Sequence, residues 1–304
     1  LLVDIPLKGK LFTGNKNQII TKTFPQFKKE EEECMNLMLK NTSCYLINNN
    51  SDRSLWVLGD SHASSMLPAA IKIVRSLNMN LRLFTAGGTP FPPINNYRNL
   101  PNEGVSLKEF KLIEQRLLKE IKTGDIIFLS MRLPYHFDGI YYGGKSSGYK
   151  YIKEDGSIGT PKEYLQKWIN SINNLANYVG KKGARVIIQT PTPEWEKEYW
   201  SMICSSGKQW FNSLQDQTCK ISSSFFKDNL KGKYNHIFRE IYKLTTLNSN
   251  VYLLDTYKIL CPEEICKFRD HGIQLYGDPD HLTQASIERL IYPKLLELIK
   301  DELK

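Results

Sequence analysis

Short apolar runs alternate with longer amphipathic stretches along most of the chain. The apolar runs are rich in β-branched residues and end at turn-forming residues, a pattern typical of strands. The runs around Ile126 and Val186 are apolar on both faces, which favours parallel strands buried inside the protein. The pattern predicts strands over residues 54–59, 80–85, 125–130, 184–190 and 250–255.

The stretches between these strands repeat apolar residues every three or four positions, which is the period of one helix face. The two clearest sets are Leu107, Phe110, Ile113, Leu117 and Ile121, and Leu165, Trp168, Ile172, Leu175 and Val179. A last helix carries Ile287, Leu290, Ile291 and Leu295, and Pro293 should kink or restart it. Strands that alternate with helices predict a doubly wound α/β fold, with a mostly parallel five-stranded sheet and helices on both faces.

The beginning of the chain lacks this alternation. Residues 1–50 are polar and irregular, so we expect an N-terminal extension or linker with one short helix, followed by the α/β domain over residues 51–304. Two stretches of that domain, at about 131–160 and 191–222, are too long for plain connections, and we expect them to be insertions.

The second insertion holds three tryptophans, Trp195, Trp200 and Trp210. Long loops at the carboxyl edge of a parallel sheet commonly bind ligands. We therefore expect one of these indoles to lie beside the catalytic cleft and to stack on sugar rings. The alternative is a small hydrophobic core inside the insertion.

Composition narrows the class of protein. With 304 residues, 41% of them hydrophobic and 24% charged, the chain is long and apolar enough for a globular core, which excludes general disorder. The formal net charge of +9 favours an anionic partner, but no Arg-rich aromatic face indicates base readout, so we expect no nucleic acid partner. The chain starts at Leu1 without a signal peptide, and we expect it to be part of a longer protein.

The six cysteines form three local pairs, Cys34/Cys44, Cys204/Cys219 and Cys261/Cys266. No pair has the Cys-x-x-Cys spacing and none has a histidine at zinc-finger spacing, so we expect no metal. Three disulfides that close short loops are favoured, and they imply an oxidising compartment. Six buried thiols in a cytosolic protein remain the alternative.

The first candidate catalytic residue lies in a strand-turn-helix motif. In Trp56-Val-Leu-Gly-Asp-Ser-His-Ala63 a strand runs into Gly-Asp-Ser, and a helix is expected over residues 64–77. Ser61 would then lie at a helix N-terminus, where a backbone N–H and the helix dipole stabilise the oxyanion that a serine attack creates. The alternative is a plain turn in which Asp and Ser cap the helix.

A serine nucleophile needs a base, and His281 is the candidate. In Tyr276-Gly-Asp-Pro-Asp-His-Leu-Thr283, Asp278 precedes this histidine by three residues. A tight turn with a proline lets the Asp278 carboxylate accept the Nδ1–H of the imidazole. Asp280, the direct neighbour, is expected to point elsewhere, and a loop histidine bonded to Asp280 is the alternative.

Three other histidines are assigned no catalytic role. His62 follows the serine directly, so its side chain should point away from the hydroxyl and pack beneath the site. His236 is expected on the surface of a helix and His271 in a turn.

Together the two motifs resemble the SGNH branch of the GDSL esterase and acyltransferase superfamily. Its members place Gly-Asp-Ser after the first strand and Asp-x-x-His near the C-terminus. Trp-Val-Leu-Gly-Asp-Ser-His-Ala, with Pro68 after it, is similar to the SGNH domain fused to membrane-bound acyltransferases of the type 3 family. The cysteine pair Cys261/Cys266 ahead of Asp-x-x-His-Leu resembles the same branch, and the resemblance spans residues 54–300.

The resemblance implies an SGNH, flavodoxin-like fold and an oxyanion hole. The family's second motif supplies a glycine N–H, and Phe84-Thr-Ala-Gly-Gly-Thr-Pro-Phe-Pro-Pro93 matches it with Gly87 or Gly88, beside the N–H of Ser61. A plain glycine turn is the alternative. The third motif normally carries an Asn, whereas Leu129-Ser-Met-Arg-Leu-Pro134 has none, and Arg132 is the candidate replacement.

The resemblance also implies a function. Ser61 would take an acyl group, expected to be acetyl, and pass it to a sugar hydroxyl of a cell-envelope polysaccharide such as O-antigen or lipopolysaccharide, without a cofactor. The donor would come from a membrane-bound acyltransferase domain of the same full-length chain, which would tether this domain outside the cytoplasm, in the periplasm or at the cell surface. A secreted carbohydrate esterase (deacetylase) with the same triad is the alternative, and a non-catalytic glycan-binding domain is a second one.

Overall fold

The fold is taken from a computed structural model. It describes residues 34, 43–47, 50–94, 96–98, 107–137, 140–141, 145–146, 149–195, 220–222, 235–271 and 273–301.

A six-stranded sheet forms the centre of the protein. In chain order its strands are β1 (Ser43–Leu46), β2 (Ser54–Gly59), β3 (Asn80–Thr85), β4 (Ile126–Ser130), β5 (Arg185–Gln189) and β6 (Val251–Leu254). Their order across the sheet is β1-β3-β2-β4-β5-β6, and every pair is parallel except β1 with β3. The doubly wound, mostly parallel α/β fold is confirmed, and all five expected strands are present.

The sixth strand, β1, comes from the segment that the sequence assigns to an extension. Ser43 pairs with Phe84 and Leu46 with Leu81, so β1 closes the free edge of β3. Cys44 forms a disulfide with Cys34, which ties this strand to the chain before it. Four residues are too few for an alternating pattern to stand out, and the pairing is antiparallel, so the sequence did not indicate it.

Helices cover both faces of the sheet. They are α1 (Ser61–Ser65), α2 (Leu67–Leu77), α3 (Leu107–Glu120), α4 (Leu133–Phe137), α5 (Pro161–Gly180), α6 (Asn235–Leu247), α7 (Thr256–Leu260) and a composite α8. The parts of α8 are Gln284–Ser286, a π turn over Ile287–Ile291, and Tyr292–Asp301.

Two hydrophobic cores follow from the alternation of side chains along the strands. In β2, Leu55 and Val57 face the core that contains α2, α7 and α8, whereas Trp56 and Leu58 face the core that contains α3, α5 and α6. All four side chains are fully buried. A sheet buried on both faces therefore presents only its edges and the ends of its strands for chemistry.

Several short strands and one 3₁₀ turn lie outside the central sheet. The strands outside the sheet are Asn96–Arg98, Ile140–Tyr141, Lys145–Ser146, Tyr149–Ile152, Ile158–Gly159, Lys220–Ser222, Ile265–Lys267, Arg269–Asp270 and Ile273–Gln274, and Pro262–Glu264 is a 3₁₀ turn. Lys220–Ser222 pairs with Ile265–Lys267, beside the Cys261–Cys266 disulfide. No helix in the described ranges is long and apolar enough to cross a membrane.

The last helix changes its winding next to Pro293, where the sequence predicts a kink or restart. The N–H of Tyr292 donates to the carbonyl of Ile287, five residues back, and regular α-helix resumes from Tyr292. A proline has no N–H and its ring crowds the carbonyl four residues back, so the wider π turn accommodates it.

The chain order of the strands places the functional edge. Starting from β2, the chain moves outward to β3 and then returns past β2 to β4, β5 and β6. The direction of winding therefore reverses between β2 and β4. Ligands of doubly wound sheets bind at the carboxyl ends of the strands beside such a reversal. Here those ends are Gly59 and Ser130, which are register partners.

Candidate active site

Ser61 begins α1 directly after the turn that ends β2. The turn needs glycine at position 59, because its φ is +147° and a Cβ there would lie 2.0 Å from the carbonyl oxygen of Ser130. β2 therefore approaches β4 closely at this edge, and the chain can leave the sheet abruptly. As a result the first residues of α1 lie at the carboxyl end of the sheet, as the sequence predicts for Ser61.

Asp60 caps α1 and also joins it to the neighbouring strand end. One carboxylate oxygen, Oδ1, accepts from the N–H of His62 at 2.9 Å. The other, Oδ2, accepts from the N–H of Arg132 at 2.9 Å and lies 2.8 Å from Nε2 of His136. Burial raises the pKa of Asp60, but the hydrogen bond from His136 and the charges of His62 and His136 outweigh it and lower that pKa. Asp60 is thus more than a helix cap.

The structure brings Ser61, His281 and Asp278 into one hydrogen-bonded chain. Nε2 of His281 lies 2.8 Å from Oγ of Ser61. Nδ1 of His281 lies 2.9 Å from Oδ2 and 3.0 Å from Oδ1 of Asp278. This is the connectivity of a nucleophile, a base and an orienting carboxylate.

The loop that carries His281 is held by its own backbone. The N–H of Gly277 donates to the carbonyl of His281 at 2.8 Å, and Tyr276 and Leu282 form a bridge across the turn. Inside the turn, Oδ1 of Asp278 accepts from the N–H groups of Asp280 and His281 at 3.0 and 2.8 Å. The tight turn that the sequence predicts is therefore present, and it presents the imidazole towards Ser61.

Asp280 contacts this imidazole, which corrects the expectation that it points elsewhere. Its Oδ1 is 3.3 Å from Nδ1 of His281. Its Oδ2 is 3.2 Å from Nε2 of His62 and 3.1 Å from Nε of Arg132. The side chain turns inward because these three cationic or donor groups surround a carboxylate that is only 1% exposed.

These contacts shift the pKa values of His281 and Asp280. Burial opposes the charged imidazolium, but the carboxylates of Asp280 and Asp278 outweigh it and hold the pKa of His281 well above its usual range. Burial also opposes the Asp280 carboxylate, but His281 and Arg132 outweigh it and hold the pKa of Asp280 well below its usual range. His281 and Asp280 therefore stabilise each other's charged forms.

His62 packs beneath the site, as the sequence predicts. Its ring centre lies 4.7 Å from that of His281, and its Nε2 faces Asp280 rather than Ser61. Of the remaining histidines, His271 occupies an exposed turn, as expected, and His236 is partly exposed on α6. His136 is buried on Asp60, which the sequence did not indicate, since 76 residues separate the two.

Arg132 follows β4, at the position where the resemblance expects an oxyanion donor. Its guanidinium makes a bidentate pair with Glu194, from Nε to Oε1 at 2.8 Å and from Nη2 to Oε2 at 2.6 Å. Nε also contacts Asp280. The side chain is buried and bridges two carboxylates, and its donation to an oxyanion stays a prediction.

Gly87 and Gly88 lie just beyond the end of β3. The N–H of Ala86 donates to the carbonyl of Gly59 at 3.0 Å, which keeps this glycine turn at the same edge as Ser61. Gly88 has a φ of +68°, a conformation that favours glycine. Their role as oxyanion donors stays a prediction.

A comparison with known protein families agrees with the resemblance that the two sequence motifs indicate. The model of the SGNH domain, described as fused to AT3 domains, matches residues 28–292, a range that holds both sequence motifs. The chain belongs to the SGNH family. The resemblance that the motifs indicate is thereby confirmed. No curated protein matches the chain.

The aromatic insertion of this SGNH domain lies partly within the described residues. Trp195 is 2% exposed and packs edge-on against Phe268 and Tyr276 at 5.5 and 5.7 Å. The backbone N–H of Trp195 donates to the carbonyl of Pro279 at 2.8 Å. This indole contributes to the core under the histidine loop and presents no face to a sugar ring. Trp200 and Trp210 lie outside the described residues.

Two of the three expected disulfides of the SGNH domain are present. Cys34 pairs with Cys44, and Cys261 pairs with Cys266. Cys204 and Cys219 lie outside the described residues, so their pairing stays a prediction.

One group of side chains in the SGNH domain has the spacing of cation ligands. Donor atoms of His62, Asp280 and His281 all lie within 4.8 Å of one another. The guanidinium of Arg132, 3.1 Å from the Asp280 carboxylate, already supplies a positive charge there and would repel a cation. We assign no metal to this group.

Proposed function

We propose that this SGNH domain is a serine-dependent O-acyltransferase that passes an acyl group, expected to be acetyl, to sugar hydroxyls of a cell-envelope polysaccharide such as O-antigen or lipopolysaccharide. The observation that carries the proposal is the hydrogen-bonded chain from Ser61 through His281 to Asp278, with 2.8 and 2.9 Å contacts. A glycan-binding domain has no need of a serine hydroxyl held on an oriented imidazole.

In the first half-reaction, Oγ of Ser61 attacks the carbonyl carbon of the acyl donor. Nε2 of His281 accepts the hydroxyl proton as the new C–O bond forms, and the carbonyl oxygen becomes an oxyanion beside the N–H of Ser61 and the glycine turn at Gly87 and Gly88. When the donor C–O or C–S bond breaks, His281 returns the proton to the leaving group. Ser61 is left as an acyl ester.

The second half-reaction reverses these roles with a different alcohol. A sugar hydroxyl attacks the acyl-serine and His281 takes its proton. When the ester bond to Ser61 breaks, His281 gives the proton back to Oγ. Hydrolysis differs only in that water replaces the sugar, so the choice of acceptor separates a transferase from an esterase.

The family supports the source of the acyl group. SGNH domains of this family are fused to AT3 domains, and a membrane-bound acyltransferase domain in the same full-length chain would deliver the donor. The Cys34–Cys44 and Cys261–Cys266 disulfides favour an oxidising compartment. We therefore place the domain outside the cytoplasm, in the periplasm or at the cell surface, tethered through the AT3 domain. The net charge of +9 suits an anionic polysaccharide.

The test uses the purified chain and an activated acetyl ester, with and without an oligosaccharide acceptor from an envelope polysaccharide. Intact-mass and peptide mass spectrometry should find one acetyl group on Ser61 and, with the acceptor present, acetylated sugar. Ser61→Ala should show neither. If acetate is released at the same rate with and without the oligosaccharide and no sugar is acetylated, the protein is an esterase instead. If neither acyl-serine nor turnover is found, the glycan-binding alternative is indicated.

A further inference from the structure

The two oxygens of the Asp280 carboxylate have different partners. Oδ2 is held by Nε2 of His62 at 3.2 Å and by Nε of Arg132 at 3.1 Å. Oδ1 is turned towards Nδ1 of His281 at 3.3 Å. A carboxylate fixed in this way on one oxygen keeps the other aimed at the imidazole.

Asp278 contacts the same nitrogen. Its Oδ1 accepts two backbone N–H groups, and its Oδ2 lies 2.9 Å from Nδ1 of His281. The single Nδ1–H of the imidazole therefore has Asp278 as its nearest acceptor, with Asp280 a few tenths of an ångström farther. Both carboxylates thus lie within 3.3 Å of the same ring nitrogen.

A second carboxylate beside Nδ1 of His281 adds repulsion between like charges. Arg132 offsets this repulsion. Its guanidinium lies between Asp280 and Glu194 and is itself buried. Glu194, which follows β5, in turn holds the guanidinium in a bidentate pair. The groups that face His281 are thus Asp278 and Asp280 from its own loop, His62 and Ser61 from α1, and, behind Asp280, Arg132 from the turn after β4.

We propose that Asp280 is a second carboxylate of the acyl-transfer machinery, a positioning residue that stabilises the imidazolium of His281 while Asp278 orients the ring. The proposal rests on the function proposed above. His62 and Arg132 hold Asp280 in place and do not touch the reacting atoms.

Both half-reactions pass through a protonated His281, which the Asp280 carboxylate would stabilise. Each time His281 takes a proton from an alcohol, whether Ser61 or the sugar, it becomes an imidazolium before the leaving group departs. A negative charge 3.3 Å from Nδ1 favours that cation at every such step. The same charge also makes the imidazolium of the resting enzyme harder to deprotonate, so the domain should need a higher pH to present a neutral base.

The test compares Asp280→Asn with Asp125→Asn. Asp125 is also a buried aspartate, bonded to the N–H of Ser54 and to Trp56 at the opposite end of the strands, so it controls for the loss of a buried charge. Turnover of an activated acetyl ester is measured against pH, together with the folded fraction. Asp280→Asn should lower the maximal kcat by about ten-fold or more and move the acidic limb of kcat/KM down by about one pH unit or more. Asp125→Asn should leave both unchanged per folded molecule.

An NMR titration of the His281 ring gives a second readout that needs no turnover. The imidazole should titrate at lower pH in Asp280→Asn than in the wild type. Because Asp280→Asn could fail to fold, Asp278→Asn is measured as well. With Asp280 still in place, its turnover should exceed that of Ser61→Ala, and its His281 should still titrate above the usual histidine range.

The outcomes separate this inference from the proposed function. If Ser61→Ala loses turnover while Asp280→Asn keeps the wild-type pH profile and His281 titration, Asp280 has no such role and the acyltransferase stands. If Asp280→Asn does not fold, the Asp278→Asn variant decides. The proposed role of Asp280 is overturned if His281 titrates in the usual histidine range in that variant and its turnover is as low as that of Ser61→Ala. If Ser61→Ala keeps its turnover, the proposed function fails, and the His281 titrations still decide whether Asp280 acts on the imidazole.

Discussion

Nε2 of His281 lies 2.8 Å from Oγ of Ser61, although 220 positions separate the two residues in the chain. Ser61 is placed by the abrupt exit of β2, and His281 by a tight turn before α8. The two elements meet because α2 and α8 share one core on the same face of the sheet. The packing of α2 against α8, away from the serine, therefore helps to set the distance between the Ser61 hydroxyl and the His281 imidazole.

The first prediction concerns the three residues of this chain. Ser61→Ala and His281→Ala should each lower kcat/KM for an activated acetyl ester by on the order of 10⁴-fold or more, and the double variant should be no worse, because the residues act as a unit. Asp278→Asn should cost less than either, but still orders of magnitude, since it weakens the orientation of the imidazole. His271→Ala, in an exposed turn, is the control. A Ser61→Ala protein with wild-type turnover would show that another residue is the nucleophile.

The second prediction is the pH dependence of turnover. Asp280 and Asp278 outweigh burial and hold the pKa of His281 well above its usual value of 6.5. A general base must be neutral, so activity should fall as the pH drops through this raised pKa. The acidic limb of kcat/KM, measured at constant ionic strength, should therefore have its midpoint above pH 6.5. A midpoint at or below that value would contradict the electrostatic description of the site.

The third prediction contrasts two helix-capping aspartates. Asp60→Ala should destabilise the protein by about 3 kcal/mol or more, because the buried His136 and the N–H of Arg132 lose their acceptor. Asp255→Ala removes the cap of α7 and an exposed hydrogen bond from the Tyr242 hydroxyl, both near the surface, and should cost about 1 kcal/mol. Urea denaturation measures both. Equal losses would mean that the Asp60 network adds nothing beyond the cap.

The pH adds a check on Asp60. Its folded pKa is lowered, so its contribution to stability is present above its unfolded pKa and is lost as the pH falls through the folded value. The gap in unfolding free energy between the wild type and Asp60→Ala should accordingly be full at neutral pH and shrink in acid. A gap that widens in acid would reverse the assigned direction of the shift.

The fourth prediction concerns two glycines with positive φ. Gly59→Ala would place its Cβ 2.0 Å from the backbone oxygen of Ser130, which cannot move without opening the β2–β4 pair, so it should cost well over 3 kcal/mol or prevent folding. Gly156→Ala meets nothing within 4 Å at a φ of +82° and should cost about 1 kcal/mol. Thermal unfolding distinguishes them, and similar melting temperatures would refute the close approach at Gly59.

The fifth prediction concerns the cysteines. Mass spectrometry of non-reduced peptides should find Cys204 linked to Cys219, in addition to the two disulfides described above. Replacing Cys34 and Cys44 by serine should cost about 2–3 kcal/mol, because the link closes a short loop in the unfolded chain. Free thiols at Cys204 and Cys219 in protein secreted to an oxidising compartment would disprove the third link.

Local patterns account for what the sequence could predict. The strands around Ile126 and Val186 are recognisable because an apolar run between turn residues means a buried strand wherever it lies in the sheet. The pairing of Asp278 with His281 is predictable for a similar reason, since both residues lie in one tight turn. Ser61 follows from the motif that joins β2 to α1.

Contacts between elements that are far apart in the chain do not follow from such local patterns. β1 joins the sheet because β3 has a free edge, which only the strand order reveals. The insertion tryptophan Trp195 is buried because the chain after β5 folds back on the loop before α8, where Phe268 and Tyr276 leave an apolar space for it. Aromatic composition alone does not separate that outcome from a sugar platform.

The sequence by itself thus determined the α/β alternation, the serine turn and the Asp-x-x-His turn, because each depends on residues within one turn or one element. Only the tertiary structure decided that Asp280 faces His281 and that Arg132 joins Glu194 to it. Arg132 follows β4 and Glu194 follows β5, 62 residues later, whereas Asp280 comes from the loop before α8. Charges so far apart in the chain meet only because β2, β4 and β5 lie side by side and deliver their carboxyl ends to one edge of the sheet.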